Sequence, residues 1–334
     1  MKTKIIAEIG PNHNGSLDIA LEIISKLKNK GIDFIKFQIA NPNHVYSKDA
    51  FLAQYQKKNI KETSIKEMSK KLQLSQNSHK KLFDFCKKNK IRYTCSAFDT
   101  NSLKYIYQNC NLPFFKIPSG EILSLDILDF IKSKNLPILL STGTSDLKEI
   151  EFSLNYLQSN GKKDITIMHC VSSYPAKLAE INMNFMTYLK NKFNTKVGYS
   201  DHSKGKHACL LAASMGAEYI EKHVTLDNKM IGPDHKASME IDEFIDLVKD
   251  IKLINKVKGN FKKKLSIETN NIKKVAMKSC VTRRDLKKNQ LLKKSDVCFK
   301  RPGTGIPPNQ LEIYIGKRLN KNIYKDRVLK KEDF

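Results

Sequence analysis

Residues 5–38 read IIAEIGPNHNGSLDIALEIISKLKNKGIDFIKFQ, and the fold turns on this stretch. Ile5–Ile9 is an apolar run of strand length. Ser16 is placed to cap a helix, and Leu17, Ala20, Leu21, Ile24 and Leu27 follow at helical spacing. Gly31 is a natural helix stop, and Phe34–Gln38 is a second apolar run. Strand, helix and strand in so short a span form a βαβ unit, whose two strands lie parallel.

The same alternation continues outward from this unit. Further apolar runs are Arg92–Phe98, Phe114–Ser119, Ile138–Thr142, Ile165–Cys170, Val197–Ser200 and Tyr219–His223. Buried parallel strands read as unbroken apolar runs. Eight of them alternating with helical patterns over about 225 residues predict a (β/α)8 TIM barrel. Each run closes on polar residues, among them Glu8, Lys36, Gln38, Ser96, Lys116, Glu121, Thr142, His169, Asp201, His202 and His223. In a barrel, the C-terminal strand ends share one pocket, so these scattered residues are expected to converge. Residues 40–80 are a long polar insertion after the second strand and belong on that face. A helix near Ile241–Val257 closes the barrel domain, 1–258. Residues 259–274 read as a linker, and 275–334 as a small β-rich module with a net charge near +10.

A formal charge of +26 suggests nucleic acid, but only six of the 60 basic residues are Arg. Phosphate and base recognition favour Arg, and the lysines are spread along helix faces. No nucleic-acid partner is expected; the basic surface reads as compositional, with some capacity to steer an anionic substrate. No run approaches a membrane span or a signal peptide. The seven cysteines are irregularly spaced, without a CxxC pair, and read as reduced thiols in a cytoplasmic protein.

His202 and His223 end neighbouring predicted strands and could share one divalent metal ion, with Asp201 orienting an imidazole or water from behind. Glu8, at the mouth of the first strand, is either an acid–base group or the partner of a lysine such as Lys36. Lys36 and Lys116 sit inside apolar strands, where a lysine is costly unless it meets an anion. Ser119 beside Lys116 and Ser141-Thr142-Gly143-Thr144 one strand later extend this into a phosphate or carboxylate cradle; a Schiff-base lysine is the rival reading. His13, His169 and Tyr174 are weaker candidates, and His44, His79 and His207 read as surface or loop residues.

These residues resemble the sialic acid synthase family. The resemblance rests on Glu8-Ile9-Gly10-Pro11-Asn12-His13-Asn14-Gly15-Ser16, Lys36-Phe37-Gln38, Lys116-Ile117-Pro118-Ser119-Gly120-Glu121 and Leu140-Ser141-Thr142-Gly143. It continues through His169-Cys170-Val171-Ser172-Ser173-Tyr174-Pro175, Gly198-Tyr199-Ser200-Asp201-His202 and Glu221-Lys222-His223. Lys300-Arg301-Pro302-Gly303 and the rest of the tail resemble the family's antifreeze-like (SAF) domain. Such enzymes join phosphoenolpyruvate to an N-acylated amino sugar, giving a nine-carbon 2-keto acid and phosphate. The resemblance implies that His202 and His223 hold Mn²⁺, with Mg²⁺ or Co²⁺ as alternatives. It implies that Lys36, Lys116, Ser119, Ser141 and Ser200, with Ser96 and Ser172, bind phosphoenolpyruvate, and that Glu8 is catalytic. Gln38, Phe98, Glu121, Tyr174 and Asp234 would complete the substrate site, and Arg301 would arrive from the partner of a domain-swapped homodimer.

Phe37 and Ser172 depart from the sialic acid pattern, where His and Asn are common. With Gln38 and Ser173-Tyr174-Pro175, they point to the legionaminate branch, whose sugar is 6-deoxy and carries a second acetamido group. The pseudaminate branch has Lys where this chain has His169. Sialic acid and pseudaminate synthesis remain the alternatives.

Overall fold

The computed structural model describes residues 2–161 and 163–334. The chain divides into two compact units, Met1–Gly259 and Asn260–Phe334. In the first, β1 (Lys4–Glu8), β2 (Phe34–Ile39), β3 (Arg92–Ala97) and β4 (Phe115–Ile117) are followed by β5 (Ile138–Ser141), β6 (Ile165–Cys170), β7 (Lys196–Asp201) and β8 (Tyr219–Thr225). The ladder runs β3-β2-β1-β8-β7-β6-β5-β4, and every pairing in it is parallel. β3 and β4 lie side by side and bring the sheet round to a (β/α)8 barrel.

The opening βαβ unit forms as its residues dictate. Ser16 accepts the Ile19 N–H at the start of the helix Leu17–Leu27, which buries Ala20, Ile23, Ile24 and Leu27 against the sheet. Gly31 ends the turn at φ +88, where a Cβ would strike the Lys252 side chain. Side chains alternate across each strand. Ile5, Ala7, Ile35, Phe37, Tyr93 and Cys95 face the helices in the main core. Ile6, Phe34, Phe114, Leu139, Met168 and Tyr219 form a separate cluster inside the barrel. The rings of Phe34 and Phe114 meet edge-on at 5.0 Å. Each such side chain contributes about 2 kcal/mol by leaving water. This plug fills one end of the barrel, so inward-facing residues further along the strands line a cavity instead.

The insertion after β2 carries three short helices, Pro42–Val45, Gln54–Asn59 and Ile65–Leu72, and its own cluster of Leu52, Met68 and Leu72. The helix Gln76–Lys88 leads from it into β3. His79 on that helix is fully buried rather than exposed as its surface reading had it, because it shares the inward face with Leu82 and Cys86.

In the second unit, the helix Ile267–Ala276 begins in the stretch read as linker, 259–274, and runs two residues into the stretch read as the module. An antiparallel pair of strands, Ser279–Thr282 and Val297–Lys300, follows. Short 3-10 turns and isolated bridges complete it around Cys280, Leu286, Leu292, Leu311, Leu319 and Leu329. All seven cysteines are free thiols, six of them buried. Among the described residues no helix is long and apolar enough to cross a membrane.

Candidate active site

A cavity of about 250 Å³ opens at the C-terminal ends of the strands. Lys36, Gln38, Ser96, Phe98, Lys116, Ser119, Ser141, Tyr174, Ser200, Asp234, His202 and His223 all line it. They come from seven strands or the loops just after them, which is why no local motif contains the site.

The floor is a lattice of buried charge. Lys36 Nζ pairs directly with the Glu8 carboxylate, lies 3.5 Å from Glu221 Oε1, and donates to Ser96 Oγ at 3.3 Å. Lys116 Nζ lies 3.5 Å from the same Glu221 oxygen and donates to Ser141 Oγ at 2.7 Å. Ser200 Oγ donates to Glu221 at 3.2 Å, and Glu8 Oε1 accepts the Gly10 N–H at 2.7 Å. Register explains the meeting: Glu8 stands opposite Lys36 on one side and His223 on the other, and Ser200 stands opposite Glu221. Burial pulls the Lys36 ammonium down to about 8; Glu221 opposes this and Lys116 adds to it. Burial by itself would raise Glu221, but Lys116 and Lys36 outweigh it and hold the carboxyl below its ordinary value.

Beside this lattice stand the two imidazoles, with ring centroids 5.6 Å apart. His202 Nδ1 lies 2.8 Å from the Val171 carbonyl, which can only accept, so Nδ1 carries the proton. Its Nε2 lone pair is left facing the Tyr174 hydroxyl at 3.2 Å. His223 Nδ1 is buried with no hydrogen-bond partner and lies 3.7 Å from Asp234 Oδ2. Burial keeps both rings neutral: His202 is lowered, and His223 is held well below the ordinary value by burial and then by His202 and Lys36. Burial raises Asp234 to about 7. Two neutral imidazoles, one oriented by a carbonyl with its Nε2 held only by the Tyr174 hydroxyl and the other with an unpartnered Nδ1, suit a divalent ion that would displace the tyrosine contact. Among the described residues no group of three or more His, Cys, Asp or Glu is close enough to hold one, so water or substrate would complete the shell.

The insertion roofs the cavity with Tyr46, Tyr55, Gln56, Met68, Leu72 and Gln73. Tyr55 stacks on Tyr174 at 5.1 Å, and Tyr174 lies 4.3 Å from the His202 ring. Asn59 ties the roof to the loop after β8, donating to the Pro233 carbonyl at 3.1 Å.

Other expected residues lie elsewhere. Glu8 sits beneath the cavity wall with no exposure. Ser172 is one hydrogen bond behind Ser119, with oxygens 3.1 Å apart. Glu121 is outside the lining, where it accepts from Ser124 at 2.5 Å. Arg301 is an exposed residue of the second unit. Phe37 does not reach the cavity: strand alternation turns it outward, stacked on Tyr93 at 5.7 Å, so it cannot touch a sugar. His169 also faces outward, with Nε2 2.8 Å from the Ile181 carbonyl. Asp201 does not orient an imidazole; it bonds to Lys222, Ser203 and Tyr199 behind the barrel wall. His13 is a buried packing residue whose Nδ1 accepts the Gly15 N–H. Sequence reasoning missed Glu221 and the roof tyrosines. Glu221 was findable, since it precedes His223 by two strand positions and must share its face.

The NeuB family profile matches residues 23–263, and the SAF domain profile matches residues 278–334. The chain is 41% identical to the N,N'-diacetyllegionaminic acid synthase of Campylobacter jejuni, covering 98% of this chain and 99% of that protein. It is 38% identical to the protein of that name from Legionella pneumophila, covering 96% and 91%. A crystal structure of the sialic acid synthetase of Leptospira borgpetersenii in complex with citrate superposes with a TM-score of 0.72 at 30% identity, covering 81% of this chain and 90% of that one.

Proposed function

As the chain belongs to the NeuB family, we propose that it condenses phosphoenolpyruvate with 2,4-diacetamido-2,4,6-trideoxymannose and water, giving N,N'-diacetyllegionaminate and phosphate. The observation that carries this reading is one cavity holding two buried lysines, a ring of serines and two neutral imidazoles. Identity to the two legionaminic acid synthases, above that to the sialic acid synthetase, favours the diacetamido sugar.

Lys36 and Lys116, with Ser96, Ser119, Ser141 and Ser200, hold the phosphate and carboxylate of phosphoenolpyruvate. Ser172 supports Ser119 from behind. On the floor, two ammonium groups already face two carboxylates, so a multiply charged anion calls for further positive charge. His202 and His223 would hold a divalent ion, Mn²⁺ in our reading, which when bound supplies that charge and Lewis-acid polarisation of the sugar aldehyde. Carbon 3 of phosphoenolpyruvate forms the new bond to the aldehyde carbon; the carbonyl π pair moves onto the aldehyde oxygen, and positive charge develops at carbon 2. Glu8 stabilises that charge and takes a proton from the water that adds there, and the new alkoxide takes up a proton to become a hydroxyl. The bond from carbon 2 to the phosphate oxygen then breaks as the carbon 2 hydroxyl gives its proton to the departing phosphate, leaving the ketone. Gln38, Phe98, Tyr174 and Asp234 contact the sugar, under a roof that excludes water. Arg301 would reach the sugar's N-acyl group from the partner in a domain-swapped homodimer, and the enzyme would work in the cytoplasm.

The test is phosphate release from phosphoenolpyruvate with Mn²⁺, offering the diacetamido sugar and N-acetylmannosamine in parallel. Preference for the first supports the reading, preference for the second makes this a sialic acid synthase, and release with neither removes the assignment. Glu8→Gln should lower turnover by about 10²–10⁴-fold, the usual contribution of a positioned acid or base, while the fold persists.

A further inference from the structure

A buried ion pair that the mechanism leaves unused lies on the outer face of β7 and β8. Asp201 and Lys222 are register partners across these strands, and each has about 1% of its surface exposed. Lys222 Nζ donates to Asp201 Oδ2 at 2.6 Å and also to the carbonyl of Ser203. Asp201 Oδ1 accepts the Ser203 N–H at 2.9 Å, the Ser203 hydroxyl at 2.7 Å and the Tyr199 hydroxyl at 3.0 Å.

A cavity imidazole follows each partner: His202 comes directly after Asp201, the last residue of β7, and His223 follows Lys222 within β8. Alternation sends the ion pair outward and the rings inward. His202 is thus the single residue between two anchored neighbours, Asp201 and Ser203, both tied to the side chain adjoining His223. Inside the cavity, among the described residues, no hydrogen bond links the two rings: His202 bonds to the Val171 carbonyl and the Tyr174 hydroxyl, and His223, whose Nδ1 has no hydrogen-bond partner, meets the Tyr174 ring edge-on. Stability alone does not account for charges in this position, because an apolar pair of similar volume usually serves a core as well or better.

We propose that Asp201, Lys222 and Ser203 form a positioning clamp that sets the separation of His202 and His223 before a divalent cation binds. This rests on the metal reading of the two imidazoles given above. The clamp acts through backbone, so its loss should weaken cation binding while leaving the lysine cradle intact.

The test uses the full-length protein stripped of metal. The paired variant Asp201→Asn with Lys222→Met breaks the cross-strand tie but lets the Asn amide oxygen keep Ser203. Mn²⁺ affinity is read from the electron paramagnetic resonance signal of free Mn²⁺, and phosphoenolpyruvate affinity without metal by calorimetry. The Kd for Mn²⁺ should rise about 10–100-fold, the usual effect of losing an outer support, while phosphoenolpyruvate affinity stays within about twofold. Unchanged Mn²⁺ affinity in a folded variant overturns the clamp and leaves the function standing. Wild-type protein that binds no Mn²⁺ takes down both readings. If the paired variant does not fold, amide hydrogen exchange on the metal-free wild type decides. The Ser203 amide, held by Asp201, should be as protected as the barrel strands, and free exchange there that stops only on adding Mn²⁺ refutes a preformed seat.

Discussion

Lowering the pH of the metal-free protein from about 7.5 to 5 should destabilise it through imidazoles that take no part in the proposed chemistry. His79 is fully buried, with Nδ1 2.8 Å from the Tyr93 hydroxyl and Nε2 without a partner. Burial, and then His13, lowers its pKa to about 3. Burial, and then His235, lowers that of His13 to about 4. Both rings are neutral in the fold, whereas the unfolded chain takes up protons below about 6.5. The unfolded state therefore binds more protons as pH falls through 6.5, so stability is complete above that value and is lost down to the folded pKa. At pH 5 this amounts to about 2 kcal/mol for each ring, or about 4 together. His235, His169, His202 and His223 are lowered as well and act in the same direction. Asp234 acts oppositely: raised to about 7 by burial, it binds a proton in the fold first and returns about 2.5 kcal/mol by pH 5. The imidazoles outnumber it, and the net change is a loss.

The variant His79→Gln isolates one contribution, because Gln can still bond to the Tyr93 hydroxyl. Urea unfolding at pH 7.5 and 5 should show a pH-dependent loss smaller than wild type by about 2 kcal/mol. The chain has no Trp, so far-ultraviolet circular dichroism is the suitable signal. Parallel pH dependence in the two proteins, within about 0.5 kcal/mol, would refute the reasoning, since a buried neutral imidazole at 79 must produce the difference.

Removing either cradle lysine, by Lys36→Met or Lys116→Met, should raise KM for phosphoenolpyruvate about 10–100-fold, matching about 1.5–3 kcal/mol for a charge-assisted hydrogen bond. Steady-state kinetics should show KM for the sugar within about twofold. Tyr55→Ala should do the reverse, raising KM for the sugar about fivefold through loss of a stacked ring worth about 1 kcal/mol, with phosphoenolpyruvate little affected. Chelation should abolish turnover and added Mn²⁺ restore it, whereas His223→Ala should stay inactive at matched Mn²⁺.

The βαβ reading of residues 5–38 needed only local information. Apolar runs of strand length, a capping Ser16 and a stop at Gly31 act within a few residues of themselves, so they are written in the chain. Repeating the pattern predicts the barrel, and the barrel predicts that Lys36, Lys116, His202 and His223 converge. The small second unit shows less of itself, because its strands are short and much of its chain is turns. Its helix Ile267–Ala276 buries none of its residues, so no core-facing stripe marks it off from a lysine-rich linker.

What the chain could not reveal by itself was which side of the wall each polar residue takes. Phe37 and His169 are one position out of phase with Lys36 and Cys170, and that step turns them into the helix-packed core. Glu221 and Lys222 are neighbours of opposite phase: one carboxylate stands between two cavity lysines, and one ammonium clamps the strands from behind. Both look alike in sequence because a period-two strand with polar residues on successive positions has no hydrophobic face to declare its phase. Register across β1, β2, β7 and β8 supplied the rest, since it depends on ring closure of the whole sheet and no segment encodes it alone.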